Sequence, residues 1–197
     1  MQEQLNSCGK HRSSALTSIA CLLPWLLATS GCEADKSPAP TAPLALSAKG
    51  IGDLVADTPF NREAVAAALP ELEVYLEEEF SEGDAYPVLV ASSNGERVLT
   101  VTADATGKRI YSVLISSKLI SNTLGHPIGT RLDAIYKGPP DCVPLSEEYA
   151  GQVSCAAPGK ATIRYLFSGQ WAGADDELPP WDALRTFTLT QMAWLPN

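Results

Sequence analysis

Asn94-Gly95 sits between two strand-like runs, Tyr86–Ser93 and Glu96–Ala103. A two-residue hairpin with a type I′ turn needs both central residues in the left-handed region, which Asn and Gly reach at least cost, so this dipeptide between apolar runs is the strongest local hairpin signal. A third run, Lys108–Ser116, follows the turn residues Asp104–Gly107 and extends the hairpin to an antiparallel meander with Tyr111, Val113 and Ile115 on one face. Further on, Ile163, Tyr165 and Phe167 align within Thr162–Ser168. In Thr186–Trp194, Phe187 and Leu189 fall on one parity and Met192 and Trp194 on the other, which a β-bulge near Gln191 reconciles.

Before the meander, Gly50–Val55 reads as one short strand. Thr58 is placed to cap a helix that begins at Pro59 and is stopped by Pro70. Leu72, Val74 and Leu76 then alternate with Glu73, Tyr75 and Glu77 at the period of a half-buried strand. Thr130 and Asp133 have the spacing of a capping box ahead of a second short helix carrying Leu132, Ile135 and Tyr136, which Gly138-Pro139-Pro140 ends. The expected fold is α+β: a single domain built on a largely antiparallel sheet with two short helices.

The first 31 residues have a different character. Lys10-His11-Arg12 precedes an uncharged stretch, Ser13–Ser30, that ends in small residues, the layout of a secretory signal. Ser, Thr and Pro24 interrupt it, so it is a poor membrane span. Thr29-Ser30-Gly31-Cys32 looks like a bacterial lipobox, in which the Cys thiol is acylated and the chain is cut before it; the rival is an ordinary signal cut nearby, leaving a free thiol. The expected organisation is a signal peptide over 1–31, a lipidated Cys32 with a Pro- and Ala-rich tether over 32–49, and a globular domain over 50–197. Glu33 rather than Asp after the Cys leans the sorting towards the outer membrane, facing the periplasm.

Five cysteines are an odd count until this processing is applied. Cys8 and Cys21 leave with the signal and Cys32 carries lipid, so Cys142 and Cys155 remain as an even pair in an oxidising compartment. A disulfide closing this short loop is the expectation. A zinc site is the competitor, but His126 is the one mature His and no C-x-x-C occurs.

Removing Glu3, Lys10 and Arg12 leaves 12 basic and 22 acidic residues, a formal charge of −10. That excess argues against nucleic acid, whose phosphates demand clustered Lys and Arg. It also makes the lipid, not charge, the expected hold on an anionic membrane surface. The acidic cluster from Glu71 to Asp84 lacks calcium-loop spacing and reads as a solvated edge.

Catalytic motifs are missing. No G-x-S-x-G, P-loop, H-E-x-x-H or G-x-G-x-x-G string occurs in the mature chain, and no cofactor or metal is expected. A nucleophilic triad would hang on His126, flanked by Gly125 and Pro127 in a turn. Asp175-Asp176-Glu177 lies in a Gly- and Pro-rich loop, where adjacent acids are usually solvated. Trp171 and Trp181 lie near each other in the chain after Phe167 and are the candidates for a binding surface for a protein or glycan, because Trp is enriched at recognition hot spots. The preferred reading is that both rings close the open end of the sheet, each indole N–H finding a carbonyl.

Taken together, Gly50-Ile-Gly-Asp-Leu54 with Thr58-Pro59, Ile128-Gly129-Thr130 with Asp133, the Cys142/Cys155 pair and the block Tyr165-Leu-Phe-Ser-Gly-Gln-Trp171-Ala-Gly173 resemble a small family of proteobacterial envelope lipoproteins of unknown function, the RpoE-regulated, YfeY-like lipoproteins. The likeness spans about residues 50–194. The resemblance implies an envelope location and a link to envelope stress, and it transfers no catalytic residue. The expected role is therefore non-enzymatic, binding or structural. The rivals are an inhibitor or accessory of a basic envelope enzyme, for which the acidic body is complementary, and a periplasmic hydrolase using acidic residues.

Overall fold

The computed structural model describes residues 44–81, 83–146, 149–174 and 176–196, all within one compact unit, Pro40–Asn197. The signal segment, Cys32 and the tether up to residue 43 lie outside the described residues.

In chain order the elements are β1 (Ala45–Ser47), β2 (Gly50–Ile51), β3 (Leu54–Val55), α1 (Arg62–Ala68), β4 (Glu73–Ser81), β5 (Asp84–Ser93), β6 (Glu96–Ala103), β7 (Ile110–Ile115), β8 (Ser121–Asn122), α2 (Leu132–Ile135), β9 (Cys142–Pro144), β10 (Gln152–Ala157), β11 (Lys160–Ser168), α3 (Trp181–Leu184) and β12 (Thr188–Trp194). An eight-stranded sheet in the order β4-β5-β6-β7-β12-β11-β10-β9 is antiparallel throughout; a small sheet, β3-β2-β1-β8, accompanies it. Asn94 (φ 53°) and Gly95 (φ 79°) make the hairpin turn that their types favour.

The core lies on one face of the large sheet. Val101, Val113, Ile115, Met192, Trp194, Ile163, Tyr165 and Phe167 meet Leu46, Ile51, Val65, Leu69 and Leu132 from the small sheet and helices in one contiguous cluster. The expected bulge is present: Leu166 pairs with Gln191 and Phe167 with Leu189, so one extra residue in β12 turns Leu189, Met192 and Trp194 all inward.

Local expectations fail where long-range pairing intervenes. Ala45–Ser47, read as tether, is β1: it pairs antiparallel with β2 and parallel with β8, and Leu46 is fully buried. Two hydrogen bonds, from Trp194 Nε1 and Thr162 Oγ1 to the Ala48 carbonyl, each 3.3 Å, tie this segment to the large sheet, so the folded body begins before residue 50. Gly50–Val55 is a hairpin instead of one strand. Gly50 has φ 146° and its backbone lies so near the Leu54 carbonyl that a Cβ would sit 1.9 Å from that oxygen, a place only Gly can fill. Thr58 accepts from the Val55 amide, and the cap of α1 is Asn61, whose Oδ1 accepts from the Ala64 amide at 2.8 Å. At α2 the Thr130 hydroxyl donates back to the Pro127 carbonyl and Asp133 pairs with Arg131, so no capping box forms. There are three short helices among the described residues, not two; the third starts at Trp181. Tyr111 does not share the inward face of Val113 and Ile115, because a register shift between Thr102 and Ala103 leaves Ile110 inside and Tyr111 out.

Candidate functional site

Strand alternation gives the large sheet a second face, turned away from the core, on which Val88, Val90, Thr100 and Leu166 are nonetheless buried. Opposite the core residues stand Thr100 and Thr102 of β6, Ser112 and Leu114 of β7, Gln191 and Ala193 of β12, Arg164 and Leu166 of β11 and Ser154 of β10. They form the floor of a groove of about 390 Å³. The sheet curls enough that Tyr149, between β9 and β10 at one edge, lines a recess with Glu79, Phe80 and Tyr86 at the other. The groove is therefore walled at both sides, and its volume lies within the range of small-ligand sites.

Two guanidiniums are fixed in this face. Arg97 donates through Nη1 to Glu79 at 2.6 Å and through Nη2 to Glu77, two carboxylates that β4 places two residues apart on one face. Partial burial works against the Arg97 charge, but the hydrogen bond to Glu79 and the charges of Glu77 and Glu79 outweigh it and hold the guanidinium more firmly protonated. Arg164 donates from Nη2 to the Ser154 carbonyl at 2.6 Å and from Nε to the Ser154 hydroxyl at 3.1 Å, across the β10–β11 pairing. Two cations and two carboxylates leave this part of the groove formally neutral. Gln191 Oε1 is buried there without a hydrogen-bond partner among the described residues.

The residues singled out in the sequence lie elsewhere. Cys142 and Cys155 are directly opposed on β9 and β10 and joined as a disulfide, with Cα atoms 4.0 Å apart. Trp171 and Trp181 are half-buried against the core. The Trp171 indole lies where a Cβ at Gly173 would be, 2.2 Å from Cζ2, and its Nε1 is buried without a described partner. His126 shares a 3.2 Å hydrogen bond between Nδ1 and the Tyr165 hydroxyl, beside Asn122, whose Nδ2 donates to the His126 carbonyl. Burial lowers the His126 pKa and pushes the Tyr165 phenol up to about 12, so both are neutral members of a structural network. Asp175 lies outside the described residues; Asp176 is exposed. Among the described residues no group of three or more His, Cys, Asp or Glu is placed to hold a metal ion.

None of the groove residues stood out in the sequence. Their signal was present in the alternate positions: Thr100 and Thr102, Ser112, Arg164 and Gln191 are the polar partners of core residues along the same strands. Such positions read as ordinary solvated faces until the curl of the sheet brings them together.

The protein is thus a curled antiparallel sheet with its core on one face and a groove of mixed apolar and polar lining on the other. The chain belongs to the family described as a protein of unknown function, DUF1131, whose profile matches residues 39–196. It is 26% identical over 152 residues to the uncharacterized protein YfeY of Escherichia coli (strain K12), covering 76% of this chain and 78% of that one. The crystal structure of the uncharacterized protein yfeY from Escherichia coli matches with a TM-score of 0.64 at 23% identity, over 78% of this chain and 99% of that chain, so the fold is shared. The family resemblance read from residues 50–194 is thereby shown.

Proposed function

We propose that this chain is a lipid-anchored protein of the bacterial envelope, facing the periplasm from the outer membrane, that acts by binding and not by catalysis, and that the groove takes a neutral glycan. The observation that carries the reading is the groove's lining. Small hydroxyls from Thr102 and Ser112 give donors and acceptors, Tyr86, Tyr111 and Tyr149 offer ring surface, and Arg97 and Arg164 are already engaged by protein acceptors, among them the buried hydroxyls of Thr100 and Ser154. A trough of mixed aliphatic and hydroxyl lining, with Leu114, Leu145, Leu166 and Leu195 beside the hydroxyls and both guanidiniums already engaged, matches the apolar faces and hydroxyls of a sugar better than an anion. The anchor and its membrane rest on Thr29-Ser30-Gly31-Cys32 and Glu33, and a link to envelope stress rests on the resemblance to regulated lipoproteins.

Two measurements test this. Cys32→Ala should move the protein from the membrane pellet to the soluble fraction; retention in the pellet refutes the anchor. Titration calorimetry with neutral tetrasaccharides of glucose and of N-acetylglucosamine should detect binding that Ala193→Trp, which fills the groove, abolishes while the melting temperature is kept. Absence of binding at millimolar sugar, or binding indifferent to Ala193→Trp, refutes the glycan.

A further inference from the structure

β4 ends the large sheet, and among the described residues it is paired on one side only, with β5. Its register with β5 runs unbroken over nine rungs, from Glu73 opposite Ser92 to Ser81 opposite Asp84. Natural edge strands are usually blunted by Lys, Pro, a bulge or extreme shortness, since an open edge is a template for another strand. β4 has no Lys, Pro or bulge; what guards its edge is the charge of four Glu in EVYLEEEFS, which repels acidic strands and admits basic ones.

In an antiparallel pair the backbone groups of alternate residues point away from the partner strand. The Val74 carbonyl is taken by Arg62 Nε at 2.9 Å, which marks the even-numbered residues as the outward set and closes the edge at the end where α1 packs. Beyond it, Leu76, Glu78 and Phe80 carry the same outward alternation. Their side chains also share one face, past the cover of α1, where Leu76 is 61% and Phe80 68% exposed. Exposed backbone donors and acceptors beside two exposed apolar side chains are the two elements that strand addition uses, the first for affinity and the second for specificity.

Charge selects the occupant. β4 carries four Glu and no basic residue. Glu77 and Glu79 turn to the groove and hold Arg97, whereas Glu78 stands exposed between Leu76 and Phe80. Pairing with a second copy of this strand would set Glu77, Glu78 and Glu79 against their equivalents, and like charges directly opposite destabilise a sheet. We propose that the outer edge of β4 over Leu76–Phe80 docks an extended peptide segment of a protein partner, with a basic residue flanked by apolar ones, added as a further strand. The site shares β4 with the wall of the groove, through Glu79 and Phe80, but uses the outward backbone groups of that strand and not the groove lining.

The test uses the full chain and two synthetic ten-residue peptides of alternating Val and Thr, one with a central Lys and one with a central Glu. Fluorescence anisotropy should show the Lys peptide binding at least tenfold more tightly than the Glu peptide, with slowed amide exchange at Leu76, Glu78 and Phe80. Glu78→Lys should reverse the preference. Leu76→Pro removes an outward donor without touching the β5 pairing and should weaken the Lys peptide at least tenfold at unchanged melting temperature; should it fail to fold, Glu78→Lys alone decides. No binding of the Lys peptide at millimolar concentration, equal binding of both peptides, failure of Glu78→Lys to reverse the preference, or sedimentation showing a dimer lost in Glu78→Lys would each overturn the proposal.

Discussion

The ring of Phe187 occupies the space beside Gly169 where a side chain would begin: a Cβ at position 169 would stand 2.1 Å from Cδ1 of Phe187. Phe187 is fully buried and its carbonyl accepts from the Leu132 amide at 2.8 Å, so neither ring nor backbone has room to retreat. Gly169→Ala is therefore an overpacking substitution and should lower stability by about 1–3 kcal/mol. Urea denaturation checks it: the midpoint should fall with an unchanged slope, and a midpoint equal to the parent's would show that the ring yields freely.

The disulfide closes a segment with a sequence separation of 13. In the chain-entropy picture a loop of this size contributes about 3 kcal/mol by restricting the unfolded chain. Mass spectrometry of non-reduced peptides should find Cys142 linked to Cys155, and the double variant Cys142→Ala with Cys155→Ala should unfold at correspondingly lower denaturant. Free thiols at both positions in protein isolated from an oxidising compartment would contradict the first expectation.

At α1, Asn61 satisfies the Ala64 amide that a seven-residue helix leaves without an internal partner. Asn61→Ala should cost about 1 kcal/mol, and Asn61→Asp should recover most of it, since both side chains accept at this position. Thermal melting followed by circular dichroism separates the three proteins; equal transitions for Ala and Asn would remove the cap from the account.

Acid should weaken the fold in two steps. Burial lowers the His126 pKa below its ordinary 6.5, so the folded state binds fewer protons than the unfolded one; this contribution is complete above 6.5 and is lost as pH falls through that value. Asp133 is held below its ordinary 3.8, first by the hydrogen bond from Arg131, and Asp104 likewise, first by the Thr106 hydroxyl; their contributions are lost only as pH falls below 3.8. Denaturant midpoints measured from pH 7.5 to 5 should decline, and His126→Gln should flatten that decline while leaving the lower step in place. A parent profile already flat across the upper window would exclude His126 as its source.

Much of the large sheet can be read along the chain, because a turn dipeptide and a two-residue period are local properties. Asn94-Gly95, the alternation of Ile163, Tyr165 and Phe167, and the parity break answered by the bulge in β12 all survive into the fold. The capping residues are less legible. Thr58 and Thr130 both have the right chemistry, yet a hydroxyl there finds another partner, the Val55 amide for one and the Pro127 carbonyl for the other. Trp171 and Trp181 drew attention as large aromatic residues between strands, but type alone does not tell a contact surface from a core lid, and here both rings pack half-buried against the core.

What the sequence determined by itself is the meander around the Asn94-Gly95 turn, the inward parity of Ile163, Tyr165 and Phe167, and the even pair of cysteines left once the N-terminal segment is set aside. Tertiary structure decided three things that no window of residues contains. Leu46 joins the core because β1 pairs in parallel with β8, more than seventy positions away, where Ala45 meets Ser121 and Leu46 meets Asn122. Tyr111 faces out because a register shift between two strands, not its own alternation, sets its side. The groove exists because a sheet of eight strands curls, gathering hydroxyls, tyrosines and two arginines that lie on separate strands and share only the face opposite the core. Alternation sets the side of a strand residue only where the register is unbroken; register shifts and the curvature accumulated across strands fix the rest, and with them which outward residues meet.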